Sequence, residues 1–206
     1  MARKTLTVIA RDHGIATKVA NAIMDFVGHV PSSNKRKSQK PEVDSRNVAN
    51  SAAANAAFTA GTLALPPGPL GWLTILPEMV AVWKLQAQMV ADIAALYGKK
   101  VALTKEQMIY CLFRHAAAQV VRDIVVRVGD RFLVRRASIR LLESLAQRIG
   151  VKVTQRVIGK GLSRWLPVVG ALGVGAYSYY DTAQVARTAI ELFSTDIDIE
   201  SAGPDQ

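Results

Sequence analysis

The chain has 206 residues, half of them apolar, which is enough to bury the core of one domain. Its 26 Lys and Arg residues against 16 Asp and Glu give a net charge of +10, and the charged fraction of 20% excludes wholesale disorder. The single cysteine cannot form an internal disulfide, which excludes a disulfide-stapled secreted scaffold.

Apolar residues recur at helical spacing from residue 5 to residue 28 and predict a first helix. The apolar run 6–10 within it is too short for the core of a secretion signal. A polar, basic stretch rich in Pro and Ser follows and is typical of a linker. Four parts are therefore expected: an N-terminal helical arm over 1–30, a basic polar linker over 31–46, a helical domain over 47–194 and an acidic mobile tail over 195–206.

Within the domain, the second helix is expected from about Asp44 to the cluster of Pro and Gly at 65–71, which no helix can cross. A third helix starts near Leu73 or Pro77 and runs to Tyr97, because Gly98 is a typical C-terminal stop.

Thr104 and Gln107 form a capping-box pattern that starts a fourth helix, expected to run to about Val128. A fifth helix over 130–149 is followed by a basic stretch to residue 164, which either continues it or starts again after Gly150. The last helix is expected from Pro167 to near Phe193. No segment favours a strand. The predicted fold is therefore all-α, a compact bundle of about six helices built from two hairpin-like halves, with the helical arm before it.

Two segments resemble the paired signatures of the EcsC-type family. Gly-Pro-Leu-Gly at 68–71, with an acidic residue seven positions on (Glu78) and Ile-Ala-Ala-Leu-Tyr-Gly at 93–98, is similar to the first signature. Leu-Pro-Val-Val-Gly-Ala at 166–171, followed by Gly173, is similar to the second. The resemblance implies a bacterial helical protein that is cytoplasmic or membrane-associated, of a family without a settled biochemical activity.

This resemblance covers residues 47–193 and has two departures, since Glu78 stands where the family usually has Asp and Ser178 where it usually has Asn. The two signatures also resemble each other, each placing an acid seven or eight residues after its glycines, which suggests two pseudo-symmetric halves. If the halves are related in this way, Glu78 would face Asp181 across the pseudo-symmetry. The candidate pocket residues are Glu78, Gln86, Ser178 and Asp181.

Charge is unevenly placed along the chain. Residues 114–164 hold twelve basic and three acidic residues, a net charge of +9, whereas residues 48–77 and 165–180 hold no charge at all. Four-residue steps between basic residues, parallel to an apolar row, predict an amphipathic basic helix. The candidate anion- or lipid-binding residues are Arg127, Arg131, Arg135, Arg136, Arg140, Arg148, Lys152, Arg156, Lys160 and Arg164.

An anionic membrane surface is the partner that this pattern favours, because the headgroups of cytoplasmic-leaflet lipids attract clustered Lys and Arg. Nucleic acid is the alternative, although Phe132 is the only aromatic residue of the 114–164 segment and no stacking platform accompanies the charge. A merely solvated basic face is the third interpretation. The uncharged stretches, at about 51–76 and 165–180, would form bent apolar hairpins, since four prolines prevent one straight span.

Catalytic patterns are weak. Cys111 and His115 stand four residues apart on a predicted helix and could face one metal, but no further ligands are evident and core packing is favoured. No catalytic residue, metal or cofactor is therefore assigned. Glu78 and Asp181 would suggest an unrecognised hydrolase only if their carboxyl groups met, since paired carboxyl groups shift each other's pKa.

The sequence thus predicts a non-enzymatic binding or scaffold protein of the EcsC-like type. It is expected in the cytoplasm, peripheral to the inner face of the cell membrane. The first alternative is a soluble helical protein that binds a small apolar or lipid-like ligand between its hairpins.

Overall fold

A computed structural model describes residues 16–25, 28–63, 71–100, 103–115, 139–159 and 167–195. These residues form six α-helices and no strand, which confirms the all-α prediction. The helices are α1 (residues 16–25), α2 (Pro41–Leu63), α3 (Gly71–Leu96), α4 (Lys105–Phe113), α5 (Ile139–Gly159) and α6 (Pro167–Ser194).

Two helix ends follow the predicted local chemistry. Gly98 ends α3 with a φ of 79°, and the backbone N–H groups of Gly98 and Lys99 bond the carbonyls of Ala95 and Ala94. This is the Schellman arrangement, which needs the left-handed conformation that glycine adopts easily. Thr104 caps α4, and both hydrogen bonds of the capping box with Gln107 are present.

Helix α2 begins at Pro41, three residues before the predicted start and inside the range predicted as a linker. Ser38 accounts for the earlier start, because its hydroxyl accepts from the backbone N–H of Lys40 and donates to Asp44 in the first turn. The preceding non-helical residues are held against α3, where Ser33 donates to Asp92 at 2.7 Å and the N–H of Ser38 bonds the carbonyl of Leu96.

Helix α5 runs through Gly150 without interruption. Of the two options that the sequence left open, a continuous helix or a new helix after Gly150, the first is observed. Gly150 is a contact point: a Cβ atom there would lie 2.7 Å from the carbonyl oxygen of Ala16 and 3.2 Å from the backbone nitrogen of Ala20, both in α1. Glycine therefore allows α1 and α5 to approach closely. Helix α4 ends at Phe113, and the part of the predicted fourth helix beyond His115 lies outside the described residues.

Helices α2, α3 and α6 pack side by side. Helix α2 is antiparallel to the other two: Ser38, just before α2, bonds Leu96 at the end of α3, whereas Ala56 and Ala60 pack with Val82. Ser178 of α6 bonds the carbonyl of Ala56 in α2, while Gly175 lies closer to the end of α2, beside Ala57 and Gly61. The main hydrophobic core is formed by α3 and α6 with α1, α4 and α5. Within it, the rings of Trp83 and Phe113 meet edge to face, with centroids 5.2 Å apart.

Candidate functional site

A polar cluster lies inside the bundle where α3, α4 and α6 meet. The side-chain amide nitrogen of Gln86 donates to Asp181 Oδ2 at 2.9 Å and to Thr182 Oγ1 at 3.1 Å. Gln86 and Thr182 are fully buried. Buried polar groups of this kind are costly unless they are hydrogen-bonded, so the three side chains fix α3 against α6.

His115, at the C-terminal end of α4, joins the same cluster. Its Nε2 lies 2.7 Å from Asp181 Oδ1, and the side chains of both residues are 17% exposed. Because a carboxylate only accepts hydrogen bonds, Nε2 carries a proton, and in the neutral ring the lone pair is then on Nδ1. Asp181 thus orients the imidazole from one side while Gln86 holds the other carboxylate oxygen.

Two atoms of this cluster are buried and have no hydrogen-bond partner among the described residues, Oε1 of Gln86 and Nδ1 of His115. Most buried polar atoms in folded proteins find a partner, so two such atoms in one cluster call for an explanation. Both are acceptors when the imidazole is neutral.

Of the four predicted pocket residues, Gln86 and Asp181 are in direct contact. Ser178 is buried one turn before Asp181, and its hydroxyl donates to the carbonyl of Ala56. Position 78 lies in α3, eight residues before Gln86, which is about 12 Å along the helix axis. Helix α3 therefore presents Gln86, and not Glu78, at the level of Asp181.

The sequence did not assign His115 to this group. Its partner is 66 residues away along the chain, and helical periodicity carries no signal for such a pairing. We call Gln86, His115, Ser178, Asp181 and Thr182 the polar layer.

The polar layer borders two hydrophobic clusters. The main core contains Trp83, one turn before Gln86, and the turns of α3 and α6 that follow the layer, from Ala87 and Val185 onward. Ala56, Ala60 and Val82 form a separate small cluster of short side chains, against which Leu85 and Val174 pack.

Cys111, one turn before His115, is fully buried, and this burial raises the pKa of its thiol far above the usual range. A thiol that stays protonated is neither a good nucleophile nor a ready metal ligand. Among the described residues, no group of three or more His, Cys, Asp or Glu side chains is placed to hold a metal ion.

The basic residues are described only in part. Arg140, Arg148 and Lys152 lie on α5 and are exposed, as is the acidic Glu143. The opposite face of α5 is buried in the main core by Leu142, Leu145, Ala146 and Ile149. Position 156 is also in α5, while Arg127, Arg131, Arg135, Arg136, Lys160 and Arg164 lie outside the described residues. The described part of α5 is thus amphipathic, with three basic side chains on its outer face.

Helix packing brings uncharged segments together at one end of the bundle. Since α2 is antiparallel to α3 and α6, its C-terminal half (48–63) lies beside the N-terminal parts of α3 (71–77) and α6 (167–180), none of which holds a charged residue. We call these three segments the uncharged end. Two charged positions, Glu78 and Lys84, follow it on α3 before the polar layer.

Large apolar and aromatic side chains are exposed at the uncharged end. Phe58 on α2 is 74% exposed and Leu172 on α6 is 69% exposed. Tyr177, Tyr179 and Tyr180 are exposed as well and stand immediately before Asp181, the first charged residue of α6. The tyrosines therefore mark the boundary between uncharged and charged surface.

One helical stretch among the described residues, Met79–Leu96 in α3, has the length and mean hydropathy (1.2) to cross a membrane. Of its residues, 61% are buried inside the bundle, and the core helices of globular proteins are also mostly buried.

Comparison with known proteins gave no match to any family model, curated protein or solved structure. The resemblance to the EcsC-type family therefore stays a prediction from the sequence.

Proposed function

We propose that this protein binds the surface of anionic membranes and acts there as a binding or scaffold protein. The observation that carries the proposal is the separation of charge along the bundle, which leaves the uncharged end with exposed Phe58 and Leu172. Both side chains belong to uncharged segments, and contiguous exposed apolar surface is typical of interaction sites. The EcsC-like signatures support the same assignment and favour a bacterial cytoplasmic protein at the inner face of the cell membrane.

The three tyrosines fit a membrane interface. Tyrosine is enriched at the level of lipid headgroups, where its ring meets apolar chains and its hydroxyl meets water. Here the tyrosines lie between an uncharged segment of α6 and the charged remainder of that helix. In the proposed orientation the uncharged end enters the interfacial region and Tyr179 and Tyr180 lie among the headgroups.

The basic residues would supply the electrostatic part of binding. Arg140, Arg148 and Lys152 project from α5. Each Lys or Arg near an anionic surface contributes about 1 kcal/mol of attraction. These contributions are screened by salt, whereas the contribution of buried apolar side chains is not.

Vesicle flotation tests the proposal. The protein is mixed with vesicles of phosphatidylcholine alone or of phosphatidylcholine with phosphatidylglycerol, at low and high salt. We expect flotation with the anionic vesicles at low salt and a smaller bound fraction at high salt. A protein that floats with neither vesicle at low salt would contradict the proposal.

Charge reversal tests the contribution of α5. Replacing Arg148 and Lys152 by Glu is expected to weaken binding to anionic vesicles by at least about tenfold. The matched control reverses Lys35 and Arg36, which are exposed on the segment before α2, at the other end of the bundle, and give the same change in net charge. Equal losses in the two double variants would show that net charge alone, and not the basic face of α5, governs binding.

A further inference from the structure

The polar layer is a hydrogen-bonding site whose acceptors are not all used. Both donor hydrogens of the Gln86 amide are directed at Asp181 and Thr182, so the amide oxygen points away from these two side chains. That oxygen and Nδ1 of His115 are buried and unpartnered among the described residues, while Asp181 holds the imidazole by its other nitrogen. The layer can therefore accept two hydrogen bonds from a ligand that brings donors.

The buried and half-buried side chains next to the polar layer, toward the uncharged end, are apolar, which is a separate observation. Val82 lies one turn from Gln86 beside Ala56 and Ala60, and the larger Trp83 and Leu85 lie on the same stretch of α3. From Asp181 to Pro167, the first residue of α6, the helix extends about 21 Å without another charged residue. An alkyl chain of lipid length would therefore meet only uncharged neighbours on α6 along this direction.

The charge of the layer restricts the headgroup. Asp181 is the only acid of the layer, and an imidazole that accepts at Nδ1 is neutral, so His115 places no positive charge beside the Asp181 carboxylate. A second carboxylate beside Asp181 would be repelled, because like charges at short distance disfavour each other's ionised form. A neutral headgroup with hydroxyl donors meets both unpartnered acceptors without adding charge.

We propose that the polar layer binds the hydroxyl headgroup of a neutral single-chain lipid of the monoacylglycerol class, with its acyl chain directed along the uncharged end. The two hydroxyls of the glycerol group donate to Gln86 Oε1 and His115 Nδ1. This inference rests on the proposed membrane association for its source of lipid, but the binding itself does not require a membrane.

Isothermal titration calorimetry with 1-monooleoylglycerol, below the concentration at which that lipid aggregates, tests the inference. We expect one molecule to bind per chain, and oleate to bind at least about tenfold more weakly because of its charge. The Asp181→Asn variant removes the repelling charge, so its affinity for oleate should rise above that of the wild type, although oleate still brings no hydrogen-bond donor. Absence of one-to-one binding, or oleate binding as tightly as the monoacylglycerol, would overturn the inference.

Two substitutions remove the proposed contacts and two matched ones do not. Gln86→Leu and His115→Phe should each weaken monoacylglycerol binding by about fivefold, the value of one hydrogen bond. Gln88→Leu on the same helix and His29→Phe are the controls, since both residues are exposed and outside the layer. Melting of the far-UV circular dichroism signal shows that each variant is folded. Equal losses in folded test and control variants would also overturn the inference.

Vesicle flotation of Gln86→Leu separates the two proposals. If surface association is right, this variant floats like the wild type while its affinity for the monoacylglycerol falls. A wild-type chain that binds the monoacylglycerol in solution but never floats would contradict surface association and support the lipid site. A chain that floats but takes up no monoacylglycerol would overturn the lipid site alone.

Discussion

Asp181 accepts hydrogen bonds from two other helices, from His115 at the end of α4 and from Gln86 in α3. Replacing it by Ala would leave both donors without this acceptor. Removing one partner of a buried polar group costs about 1–3 kcal/mol. We therefore expect Asp181→Ala to lower the free energy of unfolding by about 2–3 kcal/mol, measured by urea denaturation.

Asp92→Ala provides the comparison, because Asp92 also accepts two side-chain hydrogen bonds, from Ser33 and Gln88, but fixes a surface segment. A smaller loss is expected there. If Asp92→Ala lowered the free energy of unfolding as much as Asp181→Ala, the polar layer would not stabilise the fold more than this surface contact does.

Cys111 gives a second prediction at a single residue. Burial raises the pKa of its thiol, so the thiolate that reacts with disulfide reagents is suppressed at pH 8. An exposed thiol of ordinary pKa is about one-quarter ionised at that pH. We expect the native chain to react with an aromatic disulfide reagent far more slowly than the chain in urea. A Val43→Cys variant, at a 56% exposed position, should show one rapidly reacting thiol. Rapid reaction of the native wild-type chain would contradict the burial of Cys111.

At the level of helices, the α2–α6 contact depends on one glycine. A Cβ atom at Gly175 would lie 2.9 Å from the carbonyl oxygen of Ala57, a backbone atom that cannot move alone. At Gly173, two residues earlier, a Cβ atom would meet nothing within 4 Å. Gly175→Ala should therefore destabilise the fold by about 1–3 kcal/mol, because the two helices must separate.

Gly173→Ala is the matched variant and should stabilise the fold by up to about 1 kcal/mol, since alanine favours a helix interior. Thermal denaturation of the two variants measures both effects. A Gly175→Ala variant as stable as Gly173→Ala would show that α2 and α6 are not in close contact at Gly175.

Most of the helix predictions depended on residues close to each helix end in the sequence. Gly98, the capping box at Thr104 and Pro167 each mark a helix end through the residues next to it, so these ends were predictable. Gly150 did not show whether one helix or two would form, because a glycine inside a helix is explained only by the element that packs on it, here α1. The start of α2 was missed because the bonds made by Ser38 depend on the path of the preceding segment along α3.

The candidate site was predictable by half. Gln86 and Asp181 were both among the four predicted pocket residues, and they are hydrogen-bonded. The resemblance between the two signatures had instead suggested Glu78 as the residue facing Asp181. His115 was considered with Cys111, its neighbour on α4, because helical spacing reveals pairs within a helix. Its actual partner lies on another helix, and which helices pack together is decided by the whole core.

For the molecule as a whole, the position of charge along the helices has more consequence than the net charge of +10. The antiparallel packing of α2 against α3 and α6 collects three uncharged segments at one end. Glu42, Asp44 and Arg46 lie at the opposite end of α2. The same packing places the polar layer next to that uncharged end and in contact with the main core. Surface binding would therefore use the uncharged side of this charge division, and lipid binding would use the polar layer next to it.

This division predicts which end of the bundle meets the membrane. A cysteine at position 172, labelled with a polarity-sensitive dye, should give a blue-shifted emission when anionic vesicles are added, because the dye enters an apolar environment. The same label at position 43 should not shift, although Val43 is also an exposed apolar residue, because it lies at the charged end of α2. The buried thiol of Cys111 leaves the introduced cysteine as the reactive one. A shift at position 43 without one at position 172 would reverse the proposed orientation, and the absence of a shift at both positions, with the protein bound, would assign binding to the basic residues alone.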